Sequence, residues 1–263
     1  RLNTTGASNT AVGKDSLGTN TTGTEHVAVG SLALDANTTG SYNTAVGYNA
    51  LTTNTTGDEN TAVGNSALKL NTTGEYNTAL GLGSLQNSTT SSNNTAIGHA
   101  ALYANTTGAT NTAVGTDALK ANTTAANNTA VGYYSGQANT TGTQNVSLGA
   151  YSFYTNTQSN RNTALGYNTL SSHNLTSDSN GYNTCVGFQA GSDVTTGTQN
   201  TFIGGLVGDT TTTGAANTAS GYLALTANTS GSSNTAFGKD SLGANTTGNA
   251  NVAVGKDALK ANT

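Results

Sequence analysis

The sequence predicts an all-β protein, a β-solenoid or β-roll of about fifteen 17-residue coils, and two observations carry this prediction. The phrase NTAVG recurs fifteen times with conservative changes, and its closing glycines keep a fixed 17-residue spacing that is broken by a single 21-residue step. Such a short, strict period is typical of stacked arrays in which each unit contacts mainly its neighbours. Asn, Thr and Gly are also dense in every repeat, which opposes a helix. The closing glycines, position 0 of each repeat, are Gly13, Gly30, Gly47, Gly64, Gly81, Gly98, Gly115, Gly132, Gly149, Gly166, Gly187, Gly204, Gly221, Gly238 and Gly255.

The composition alone resembles a disordered low-complexity tract, since only 33% of the residues are hydrophobic and Trp, Met and Pro are absent. The fixed phase of the apolar residues argues against disorder. The repeat runs through the whole chain, so residues 1–263 are predicted to be one continuous array. Both ends stop within the repeat phase, and we therefore expect a segment of a longer fibre.

The strand of each repeat is predicted at the phrase NTAV. The residue before the closing glycine, as at Val46 and Val63, is apolar in fourteen of fifteen copies and is predicted to be buried. The Thr two residues earlier is replaced only by Val and shares this face, because side chains alternate along a strand. The intervening Ala is predicted to face the other way.

The second apolar row lies four residues after the glycine, as at Leu51 and Leu68, and is also predicted to be buried. This glycine and the later one of NTTG lie at the predicted bends, so that two short strands and two tight turns fill each coil. Burying one Val and one Leu contributes roughly 3–6 kcal/mol per turn, which is less than the ordering of a whole coil costs. We therefore expect a parallel homotrimer whose chains meet along the Ala row, represented by Ala79 and Ala96.

An Asn recurs four residues before the glycine, as at Asn43 and Asn60, and only His26 interrupts this row. Stacked amides bond from turn to turn in cross-β arrays, so the row is predicted to be a structural ladder. The 21-residue step localises to 171–182, where four extra residues are expected to leave the stack as a loop.

The sequence offers no catalytic, cofactor-binding or metal-binding constellation. Cys185 is the only cysteine and occupies the Ala position, while His26, His99 and His173 lie in different repeats. The net charge of −4 gives no basis for binding nucleic acid, and no apolar run is long enough for a membrane span. We expect a protein that is not an enzyme.

The phrases NTAVGYNAL (43–51) and NTTG (54–57) resemble repeats of bacteriophage tail-fibre proteins and large bacterial surface proteins. They are also similar to the head repeats of trimeric autotransporter adhesins, whose phrase Asn-Ser-Val-Ala-Ile-Gly is one residue longer. The resemblance covers the whole chain and implies a homotrimer of left-handed β-rolls.

The function predicted on these grounds is a structural or adhesive fibre segment, outside the cell, on the cell surface or on a virion. The expected partners are other copies of the chain, as a homotrimer or end to end, and a surface carbohydrate or cell-surface receptor. Two alternatives stay open. Adjacent Thr pairs such as Thr55-Thr56 could form an ice-binding ladder, and aromatic residues after the glycine could contact carbohydrate: Tyr48, Tyr133, Tyr167, Phe188 and Tyr222.

Overall fold

The computed structural model describes residues 2–262; Arg1 and Thr263, the first and last residues of the predicted array, lie outside the described residues. The chain divides into two compact units, one up to Asn127 and one from Asn128. Each unit is an all-β, parallel β-solenoid, and the described residues contain no helix. This confirms the predicted fold class.

Every coil contains one strand of three residues, at the phrase predicted to form it. The first unit contains β1 (Thr10–Val12), β2 (Val27–Val29), β3 (Thr44–Val46), β4 (Thr61–Val63), β5 (Thr78–Leu80), β6 (Thr95–Ile97) and β7 (Thr112–Val114). The second contains β8 (Thr129–Val131), β9 (Val146–Leu148), β10 (Thr163–Leu165), β11 (Thr184–Val186), β12 (Thr201–Ile203), β13 (Thr218–Ser220), β14 (Thr235–Phe237) and β15 (Val252–Val254).

Strands that follow one another within a unit pair in parallel and in register. In β3 and β4, Ala45 lies opposite Ala62 and Val46 lies opposite Val63. The repeat interval therefore brings each residue beside its counterpart in the next coil. The fixed period of the sequence is the direct cause of this register.

The prediction of two strands per coil is wrong, because the rest of the coil is built from turns. Asn49, Leu51 and Glu59 have φ values of 56°, 53° and 54°, and the equivalent residues of other coils share this left-handed conformation. Extended strands exclude positive φ. Backbone hydrogen bonds between coils nevertheless continue through the turns, as from Leu51 N to Ala67 O (3.0 Å).

The interior of the coil is narrow, and its lining corrects one prediction. Ala45 and Ala62 are fully buried, as are Leu51 and Leu68 from the opposite side of the coil. The prediction that the residue before the glycine is buried is wrong: Val46 and Val63 are only partly buried, and Val12 in the first coil is 57% exposed. The Ala side chain faces inwards because only a small side chain fits opposite the Leu row. The outer face of the sheet therefore carries the Thr and Val rows.

The buried Ala row also rules out the predicted contact between chains. Ala79 and Ala96 have no exposed surface within a single chain. A second chain cannot reach them, so any association must use another face.

The core of the second unit contains one large substitution with a visible compensation. Phe202 occupies the Ala position and is fully buried. Gly191 and Gly208 stand where other coils have the buried Leu, and a Cβ at Gly208 would lie 2.7 Å from the Phe202 ring. The ring of Phe202 thus fills the space that two leucine side chains occupy elsewhere.

The extra residues of the long coil lie between β10 and β11, which remain in register with Thr163 opposite Thr184. Residues 176–178 are exposed. The segment is held at its base by the hydrogen bond from Asn160 Nδ2 to Asp178 Oδ1 (2.6 Å) and by a parallel bridge between Asn160 and Asn180.

Candidate functional site

The most regular polar feature is the row of asparagines in which each Asn directly precedes a strand. Asn43 Oδ1 accepts from the backbone N of Asn60 (2.9 Å), and Asn43 Nδ2 donates to Gly57 O (2.8 Å). Asn60 repeats the second bond to Gly74 O (2.8 Å). Both amides are fully buried. Each side chain therefore ties the start of a strand to the NTTG turn and to the next coil.

A second buried asparagine row comes from the NTTG phrase itself. Asn54 Nδ2 donates to Asn37 Oδ1 (3.0 Å) and to Gly57 O (2.9 Å), and Asn71 Nδ2 donates to Asn54 Oδ1 (2.8 Å). Since these amides are buried and bonded, the Asn-Thr-Thr phrases do not present glycosylation sites in the folded chain. The NTTG phrase was predicted only to be a turn. The sequence signal for this second row is an Asn that recurs at one phase in most coils, with Ser88, His173, Val194 and Thr211 as the exceptions.

The neighbouring threonines bond to the backbone of the next coil. Thr38 Oγ1 donates to Thr55 O (3.0 Å), and Thr55 Oγ1 donates to Thr72 O (3.0 Å). The second Thr of each pair, such as Thr56, is exposed. Half of the Thr ladder suggested for ice is therefore bonded within the protein itself.

His26 continues the first asparagine row, which it was expected to interrupt. Its backbone N donates to Asn9 Oδ1 (3.0 Å), and its Nδ1 accepts from Asn43 N (3.2 Å). Because Nδ1 accepts from a backbone N–H, the neutral ring carries its proton on Nε2, which faces the Gly40 carbonyl and lies 3.1 Å from Asn37 Nδ2. Nδ1 and Nε2–H thus replace the oxygen and the NH₂ of the amide. Burial lowers the pKa of His26 from its ordinary value of 6.5 and so favours this neutral form.

His173 occupies the second asparagine row and is also buried. Its Nε2 lies 3.0 Å from Ser159 Oγ, and its ring stacks on Phe153 with centroids 6.0 Å apart. Burial lowers the pKa of His173 to about 4. Both side chains are fully buried, so this Ser–His pair is closed to solvent, and His173 occupies the position that Asn156 has in the preceding coil.

The closing glycines form a third row of equivalent residues, which was also predicted to be structural. From Gly13 to Gly115 their φ values lie between 130° and 134°, a region that side chains strain to enter. A Cβ on Gly98 would lie 2.7 Å from the carbonyl carbon of Gly115. Both conformation and close approach therefore require glycine at this position.

Cys185 and the three histidines lie in different coils, at the positions that the sequence gives them. Cys185 is fully buried, and burial raises the pKa of its thiol. Between residues 2 and 262, no three His, Cys, Asp or Glu side chains come together as metal ligands. The same part of the chain has no helix that could cross a membrane.

Aromatic side chains gather on one face of the second unit, and we call this group the tyrosine patch: Tyr133, Tyr134, Tyr151, Tyr154, Tyr167 and Phe188. Its centre is Tyr151, whose ring centroid lies 5.5 Å from that of Tyr133, 5.7 Å from that of Tyr154 and 6.2 Å from that of Tyr167. Desolvation among these rings raises the pKa of Tyr151. Tyr133, Tyr167 and Phe188 were identified from the sequence as aromatic residues that directly follow the closing glycine. The other three members of the patch lie at other positions of the repeat and were not identified.

Compared with models of known protein families, with curated proteins and with solved structures, the chain matches none of them.

Proposed function

We propose that the chain is a structural segment of an adhesive fibre, exposed outside the cell or on a virion. The observation that supports this most directly is the first asparagine row, which links successive coils through buried, directional bonds, and which the second row reinforces in most coils. In units built this way every coil is held mainly by its two neighbours, so length can grow without a change in cross-section. The resemblance of the repeats to fibre and surface proteins supports the location.

This proposal predicts how the particle responds to added repeats. Inserting a second copy of residues 48–115 directly after Gly115 adds four coils in phase, which should lengthen the particle by roughly 19 Å at the strand spacing of about 4.8 Å. Small-angle scattering measures the maximum dimension and the cross-section separately. A scrambled insert of the same composition is the control. An in-phase insert that thickens the particle, or leaves its length unchanged, would argue against a rod.

We further propose that copies associate through the outer Thr and Val rows, since the Ala row is closed. The two rows contain no charged residue in any coil, and exposed members include Leu80 (45%) and Ile203 (45%). In a parallel homotrimer the same side chains would meet at the same height in every coil, which makes the stripe self-complementary.

A further inference from the structure

The tyrosine patch differs in composition from the same surface in several other coils. Five of the 11 tyrosines lie in it. Residues 132–139, 149–156 and 166–173, which carry these tyrosines, include no Lys, Arg, Asp or Glu. The corresponding positions near both ends of the chain hold charged pairs such as Lys14–Asp15 and Lys239–Asp240. The patch is therefore free of charged side chains in the three consecutive coils that carry its tyrosines, while the coil of Phe188 also holds the exposed Asp193.

Its rings are accessible and differently oriented. Tyr133, Tyr167 and Phe188 are 45%, 48% and 53% exposed, and the rings of Tyr134, Tyr151 and Tyr154 are partly exposed. Tyr151 is inclined to Tyr133 by 85° and to Tyr167 by 80°, whereas Phe188 is stacked on Tyr167 at 11°. The rings therefore lie at different inclinations along successive coils.

Uncharged polar side chains lie on the same coils as the rings. The amide side chains of Gln137, Asn168 and Gln189 are partly exposed and lie on the same coils as the aromatic rings. Aromatic faces attract the apolar C–H faces of sugar rings, and amide and phenol groups bond to hydroxyls. A ligand with many hydroxyls and no charge matches this set of groups, whereas nucleic acid requires cations that the patch lacks.

We propose that the tyrosine patch binds a neutral polysaccharide chain laid across successive coils. Centroid distances between rings on adjacent coils are 5.5 Å for Tyr133–Tyr151 and 5.6 Å for Tyr167–Phe188. Consecutive sugars of an extended chain can therefore contact consecutive rings, and affinity comes from several weak contacts in series. The inference goes beyond the structural role proposed above and stands or falls without it.

The test uses tyrosine fluorescence, which reports directly because the chain has no Trp. The probes are neutral hexasaccharides of β-1,4-linked glucose, α-1,4-linked glucose and β-1,4-linked mannose, together with a sulfated form of each. We expect at least one neutral hexasaccharide to bind with a Kd on the order of 1 mM. The combined Tyr133→Ala and Tyr167→Ala variant should weaken that binding by about tenfold or more.

The matched control is Tyr48→Ala, which removes a ring at the same repeat position in the first unit, where it is 52% exposed. It should leave binding unchanged. The Tyr133→Phe and Tyr167→Phe double variant keeps the rings and should retain binding within about threefold. This variant keeps the test informative if the alanine variant fails to fold. The proposal is overturned if no neutral probe binds up to about 10 mM. It is also overturned if a sulfated probe binds more tightly, or if Tyr48→Ala weakens binding equally.

Discussion

At the scale of single residues, two buried imidazoles occupy asparagine positions, and this makes part of the ladder sensitive to acid. A neutral imidazole can accept at one nitrogen and donate at the other, as the Asn amide does with its two terminal atoms. Protonation removes the acceptor. His26 would then face Asn43 N with a second donor, and a cation would be buried within the ladder.

The corresponding prediction concerns His173, whose pKa burial lowers to about 4. The fold favours its neutral form, so its contribution to stability is complete above the ordinary pKa of 6.5 and is lost as the pH falls from there towards 4. The full loss is roughly 3 kcal/mol. His173→Asn restores the common ladder residue and should remove this loss. Thermal melts of both proteins between pH 7.5 and 4 measure it, because the carboxylates titrate equally in the two; parallel curves would contradict the assignment.

A second residue-scale prediction compares Gly98 with a neighbouring turn. Gly98→Val forces a β-branched residue to a φ of 130° and into the backbone of Gly115, so we expect a loss of more than about 3 kcal/mol. Thr107 is exposed, and Thr107→Val should change stability by less than about 0.5 kcal/mol. Urea unfolding of the two variants distinguishes the positions, since equal midpoints would mean that the glycine row does not constrain the coil.

At the scale of the coil, Phe202 and Gly208 form a coupled pair. Phe202→Ala should cost about 3–5 kcal/mol, because it leaves a cavity among small side chains. Adding Gly208→Leu supplies the side chain that other coils place there, and φ at this position (54°) matches that of Leu51 (53°). The double variant should therefore recover at least half of the loss when the variants are compared by urea unfolding. In the presence of Phe202, Gly208→Leu alone should destabilise the chain by overpacking, and a single variant without effect would contradict the coupling.

The coil also shows where reasoning from the sequence succeeds and where it stops. Leu51 is buried as predicted, because a large apolar residue repeated at one phase needs an interior. In the segment Thr44-Ala45-Val46, alternation defines two faces, but it does not say which one is inside. Hydrophobicity alone predicted that Val46 faces the interior. The coil is so narrow that Ala45 faces the interior instead. The left-handed backbone at Leu51 had a signal in the sequence, since Gly replaces Leu at this position in three coils: Gly136, Gly191 and Gly208.

The candidate site was predictable only in part. The row of Asn43 and Asn60 was predicted because Asn recurs at one position of the repeat. The tyrosine patch did not, because Tyr151 and Tyr154 lie two and five residues after their glycine, while Tyr133 follows its own directly. Whether these rings contact one another depends on the direction in which each turn residue projects its side chain. The position of a residue in the repeat does not give that direction.

At the scale of the whole molecule, the proposed association through the outer Thr and Val rows can be tested by charge substitution. If copies associate there, Leu80→Glu combined with Ile97→Glu should convert the assembly to monomers, because like charges would meet between identical chains. Thr73→Glu with Thr107→Glu places the same charge on exposed turns and should leave the assembly intact. Native mass spectrometry and sedimentation give the mass in each case. A wild-type chain that is monomeric at micromolar concentration would overturn the proposed association.

The register described for β3 and β4 has a consequence for inheritance. Each residue lies beside its equivalent in the next copy of the repeat, so DNA that gains or loses whole repeat units leaves most coils beside a compatible neighbour; the coil of Phe202 is an exception, because its ring requires Gly191 and Gly208. Repeat number can therefore change in whole steps while the chain still folds, and the length of the array changes with it.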